Sequence, residues 1–197
     1  SNGTTIIDAG ALGSGVATGK MILLATQTAS GSANLSFTSG IDSTYDSYVF
    51  KCIDIHPSAS NPNFGFQVEV GTGTSYAQTI TSTYFAGYQN EAGSTTGFGY
   101  ISEQDQAQGT GLQTLADQIG NGNDESCAGV LHLFEPSSGT FVKHFTARFQ
   151  GYNGADFSTD LQVAGYVNTT TALTRVQFKF SSGNIDSGVI KMYGIGG

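Results

Sequence analysis

Tryptophan is missing from this 197-residue chain, cysteine and methionine occur twice each, and seven lysines and arginines stand against fifteen aspartates and glutamates. With a net charge of −8 and no Lys/Arg cluster, the chain lacks the electrostatic footprint that follows a phosphate backbone, so nucleic acid is not expected as a partner. The apolar run "MILLA" (21–25) is far short of a membrane span and has neither the basic region nor the length of a signal peptide, so no membrane insertion is expected. Cys52 and Cys127 have no CxxC spacing and no repeated framework, which argues against a metal knuckle or a disulfide scaffold. They read as two buried thiols in a reducing compartment, with a Cys52–Cys127 disulfide as the alternative. No GxSxG elbow, phosphate loop or HExxH occurs, and the acids are scattered rather than set in a facing pair as a glycosidase requires. No enzyme activity, cofactor or metal is expected.

What the chain has in quantity is hydroxyl and backbone: 44 Ser plus Thr and 28 Gly, with only 11% of residues charged. A surface built this way suits packing against other protein. The length fits one domain with a sizeable core. The dominant pattern along it is alternation with period two. "FGFQVEV" (64–70) sets Phe64, Phe66, Val68 and Val70 against Gly65, Gln67 and Glu69, which predicts a half-buried strand. "VQFKF" (176–180) turns Val176, Phe178 and Phe180 inward. "FVKHFTARF" (141–149) aligns Phe141, Phe145 and Phe149, with Lys143 on the apolar side and so at a strand end or edge. Further runs at 48–55, 79–88, 129–134, 161–167 and 188–195, separated by Gly-, Asn- and Ser-rich turns, bring the expectation to about nine strands. That predicts an all-β antiparallel β-sandwich, jelly-roll-like, over residues 21–197. One helical hint, "LQTLADQI" (112–119), repeats Leu112, Leu115 and Ile119 at helix spacing and predicts one or two turns.

Candidate sites each have a plainer reading beside them. Asp42 and Asp46 flank a Ser-Thr-Tyr turn in "SGIDSTYDSYVF" (39–50), where side chains that bond nearby amides feed a strand. "NGNDES" (121–126) places Asn121, Asn123 and Glu125 at alternate positions as a calcium loop does, without the remaining ligands. A hairpin pairing Phe134 with Phe141 would set His132 against Lys143 and His144 against Leu131, so the histidines would not converge, and His56 before Pro57 reads as a turn residue. Tyr84, Tyr88, Tyr100 and Tyr152 are candidate sugar-stacking rings. Residues 1–20 are glycine-rich and free of aromatics. They carry too little apolar surface to hold a shape alone and read as an N-terminal arm, with Ile6, Ile7, Leu12 and Val16 as anchors that dock on a neighbouring chain.

Three stretches, "TSGIDSTYDSYVFKCIDIHPS", "LHLFEPSSGTFVKHF" and "VQFKFSSGNIDSGVIKMYGI", resemble a family of structural proteins of tailed bacteriophages, marine ones especially, described as tail-fibre or virion structural proteins. The resemblance covers roughly residues 20 to 195 and rests on strand-and-turn signatures, so it carries over no catalytic or ligand residues. It implies a β-sandwich on the virion surface, made in the host cytoplasm, with other virion proteins as partners. A homotrimer is the expected assembly. The alternative function is a carbohydrate-binding adhesin module with host-surface glycan as partner, weakened by the absence of Trp.

Overall fold

A computed structural model describes residues 21–196, all-β with no helix among them. The expected arm, with Ile6, Ile7, Leu12 and Val16, lies outside the described residues. In chain order the strands are β1 (Ile22–Thr28), β2 (Leu35–Phe37), β3 (Ser47–Pro57), β4 (Phe64–Val70), β5 (Ile80–Asn90), β6 (Thr96–Tyr100) and β7 (Ala107–Gly109). They continue with β8 (Gln113–Ala116), β9 (Cys127–Phe134), β10 (Lys143–Asn153), β11 (Phe157–Val167), β12 (Leu173–Phe180) and β13 (Ile185–Ile195). Every pairing is antiparallel. A nine-stranded sheet runs β1-β13-β3-β9-β10-β11-β5-β6 with β7 beside β5, and a four-stranded sheet runs β2-β12-β4-β8.

The two sheets form a β-sandwich because alternate apolar residues of each face the other. Phe64 and Phe66 of β4 and Phe178 and Phe180 of β12 meet Phe50, Phe145 and Phe149 of the large sheet, all 3% exposed or less. Phe66 stands edge-on to Phe145 at 5.1 Å, and Phe64 stacks on Phe178 at 6.0 Å. Of the phenylalanines expected inward, Phe64, Phe66, Phe145, Phe149, Phe178 and Phe180 are core and Phe141 is not. The small sheet packs through β8 against β10 and β11 and through β2 against β1. β6 stands at the far edge, with Phe98 and Tyr100 70% and 46% exposed.

Several expectations are corrected. The helical hint is a strand, β8: it pairs with β4 and packs against β10 and β11, so Gln113 and Leu115 are both fully buried. β4 is buried on both faces rather than one, since the segments around 73–78 and 110–113 lie over its supposed outer side. Phe141 is 70% exposed, because β9 and β10 are joined by a longer loop than a tight hairpin. The register that results sets Leu133 opposite Phe145 and His132 opposite Thr146. His132 and His144 therefore share the outer face instead of opposite ones. His56 belongs to β3, not to a turn. Lys143 does begin its strand, but it is fully buried in a central one and its Nζ donates to the carbonyls of Phe141 and Thr169.

Candidate interaction surfaces

The outward residues of the large sheet form a broad face. Val130, Phe134, His144, Thr146 and Arg148 alternate with buried neighbours along β9 and β10. Among the described residues its one ion pair joins Arg148 Nε and Nη2 to the two oxygens of Asp160, each at 2.8 Å, a fork geometry on exposed side chains. Lys51 and Lys191 face each other across β3 and β13, and the Lys51 ammonium lies 5.4 Å over the Tyr193 ring. Apart from Asp54, Asp186, His132 and His144, the rest is mostly hydroxyl, amide and apolar.

At the β6 end this face becomes aromatic. Phe85 of β5 stacks on Phe98 at 6.1 Å and meets Tyr100 edge-on at 5.2 Å. The ring of Phe98 lies over Gly87, its cross-strand partner, where a side chain would already touch it. The Tyr100 hydroxyl is bonded to Asp105. Gly97 and Gly99 make up the other face of β6, and the outer end of the exposed Tyr88 ring lies against Gly97.

Two open clefts flank this end. A cleft of about 570 Å³ is lined by Gln89, Asn90, Glu91, Asp124, Ser126, Gln150, Tyr152 and Ser158, every one with a polar side chain. The Tyr152 hydroxyl donates to Asp156 at 3.3 Å, and the hydrogen bond with Glu91, with the charges of Glu91, Asp156 and Asp124, pushes its pKa up to about 12. A second cleft, about 340 Å³, is lined by Ala86, Tyr88, Ile101 and Phe157 together with Glu103 and Asp117. Burial pushes the Asp117 carboxyl up, and it accepts a hydrogen bond from the Tyr84 hydroxyl at 3.1 Å. Tyr84 itself is fully buried and cannot stack on a ligand, whereas Tyr88 and Tyr100 are exposed and Tyr152 half-exposed.

The other candidate residues are absorbed by structure. Asp42 accepts from the Thr44 amide at 2.8 Å and, at 3.3 Å, from the Tyr48 hydroxyl, which also donates to the Asp42 carbonyl. Those bonds, the Thr44 contacts first, hold the Asp42 carboxyl below its ordinary range. The stretch 39–50 is thus a turn pinned to the strand it feeds. Glu125 folds its carboxylate back onto the Gly122 amide, and its carbonyl bonds His56 Nδ1 at 2.6 Å, so "NGNDES" is a closed turn. Among the described residues no three His, Cys, Asp or Glu side chains converge as a metal site. Cys52 and Cys127 are free, buried thiols, and burial pushes both pKa values up. No helix among the described residues is long and apolar enough to cross a membrane.

Sequence reasoning missed a set of buried polar residues. Glu69 is 3% exposed and accepts from Ser75, the Tyr76 and Val70 amides and Gln78. Burial alone would raise its carboxyl, but these four hydrogen bonds outweigh it and bring the pKa down to about 2. Gln67 similarly donates to the carbonyls of Gln78, Thr110 and Gly111. Nothing local marks them, because an alternating strand looks the same whether its polar face meets water or a covering loop. No protein-family profile, curated protein or solved structure matches this chain.

Proposed function

We propose that this chain is a non-enzymatic structural subunit of a bacteriophage particle, a surface appendage, fibre or capsid-decorating module that assembles through its N-terminal arm and its sheet surface. The observation that supports this best is the broad outer sheet face of hydroxyl, amide and aromatic side chains, ending in an uncharged edge strand. Such a surface is matched to other protein rather than to water. The family resemblance supplies the setting, with other virion proteins as partners and the virion as location. Deleting residues 1–19 tests it: the sandwich is expected to keep its melting temperature while the protein no longer joins the particle. A truncated chain still incorporated normally would remove the arm from assembly, and antibody labelling that left purified particles bare would remove the virion role.

The second reading, a carbohydrate-binding adhesin, is favoured by the all-polar cleft around Tyr152. Planar amide and carboxylate groups beside a tyrosine suit a neutral sugar with many hydroxyls, and the acids there disfavour an anionic one. A glycan array read with Tyr152→Ala alongside separates the two readings: binding lost in the variant supports the adhesin, and an array with no signal removes it.

A further inference from the structure

The edge at β6 has a hydrogen-bonding pattern that is complementary to itself. Ile101 donates its N–H to Tyr84 O and Asn90 donates to Thr95 O, each at 3.0 Å. These bonds fix which pairs of the β5–β6 ladder are hydrogen-bonded, because such pairs alternate in an antiparallel ladder. In the observed register the backbone groups of Gly97 and Gly99 turn toward β5, and those of Thr96, Phe98 and Tyr100 turn away from it. β6 ends the order of the large sheet among the described residues, so these three residues present their N–H and C=O groups to the open edge.

Nothing in the strand blunts that edge. "TGFGY" holds no charge, no proline and no bulge, the devices by which edges avoid pairing. The opposite edge, β1, is bulged between Leu23 and Ala25 and tied to β2 by Gln27 Nε2 donating to Ser36 O at 2.6 Å.

We propose that β6 pairs with β6 of a second copy of this chain across a twofold axis at Phe98, joining the two large sheets into one. In that register Phe98 faces Phe98 of the other copy and Thr96 faces Tyr100, so every outward N–H meets a C=O. Directly opposed residues share a face, so the Phe85, Phe98 and Tyr100 rings of both copies merge into one aromatic cluster, while the other side meets glycine on glycine. A copy is also an electrostatically permitted partner here: the chain carries −8 overall, yet β6 itself holds no charged residue, and the Asp105 carboxylate beside it is engaged by the Tyr100 hydroxyl. Five residues a side make a small interface, so weak association, in roughly the micromolar to millimolar range, is expected. The symmetry is twofold, not the threefold expected from the family resemblance, and the pairing rests on sheet geometry rather than on a place in the particle.

Sedimentation of the full chain tests it. The wild type should approach twice 20.4 kDa as concentration rises through that range. F98K should stay at the monomer mass with an unchanged circular dichroism spectrum, since the side chain is 70% exposed. So should F98E, and an equimolar mixture of the two should recover the dimer, because a register centred on Phe98 sets the opposite charges directly against each other. A monomeric wild type, a trimeric mass, a dimer indifferent to F98K as assembly through the arm alone would give, or a mixture that stays monomeric would each overturn the pairing.

Discussion

β4 and β6 share a Gly-Phe alternation and meet opposite fates. In "FGFQVEV" both phenylalanines are fully buried and the polar alternates Gln67 and Glu69 are buried as well; in "TGFGY" the phenylalanine is 70% exposed. Composition does not separate them, and neither does period. The difference lies in what long-range connections bring over each strand. β4 sits inside the small sheet with the large sheet on one face and the 110–113 segment on the other. β6 is the last strand of a sheet that outruns its cover. Alternation thus reports that a segment is a strand; burial is assigned by its neighbours.

The contrast is broken most severely at Phe66. Its ring fills the centre of the sandwich against Phe145 and Phe178, so Phe66→Ala should cost about 3 to 5 kcal/mol in chemical denaturation. Phe98→Ala, on the exposed strand, should stay within about 0.5 kcal/mol at monomer concentrations. Equal losses at the two sites would mean that β6 is covered in solution.

Glu69 gives the next largest effect, and a pH signature. Its pKa is brought down to about 2 from an ordinary 4.5, so its stabilising contribution is fully present above the unfolded value and is lost as pH falls through the folded one. That difference corresponds to about 3 kcal/mol at neutral pH. Unfolding free energy should therefore drop between roughly pH 5 and pH 2, and Glu69→Gln should remove much of that slope. A variant with the parent's acid profile would place the lost stability in other carboxylates.

Most of the architecture is legible in the sequence for a physical reason. The long central strands carry Phe, Val, Ile and Tyr at alternate positions, and that pattern can be satisfied in few other ways. The inward face of β12 follows from "VQFKF" directly. β2, β6, β7 and β8 did not announce themselves because they are five residues or fewer and rich in Gly, Gln and Ser, so their pairing is decided by partners distant in sequence. β8 carries a helical signal in the sequence because Leu112, Leu115 and Ile119 match a helix spacing by coincidence within too short a window. The candidate surfaces were the least legible part. The rings were visible as residues, but Tyr84 turned inward and Phe98 outward, and only the sheet order shows that the latter marks an open edge.

The two glycines sharpen the comparison at the scale of a single methyl. A Cβ built on Gly65 of β4 would lie 2.3 Å from the backbone oxygen of Gln113 and 2.8 Å from Leu112 Cγ. A backbone oxygen cannot swing aside as a side chain can, so Gly65→Ala should cost about 1 to 3 kcal/mol through displaced strands. On β6, nothing lies within 4 Å of a Cβ built on Gly99, and its φ is not in the left-handed region. Alanine there meets no obstacle and restricts the unfolded chain more than glycine does, which stabilises a strand interior by roughly 0.5 to 1 kcal/mol. Gly99→Ala should therefore raise the melting temperature slightly at monomer concentrations. A loss there comparable with Gly65→Ala would show that the inner face of β6 is occupied in solution, and the two strands would then differ in degree only.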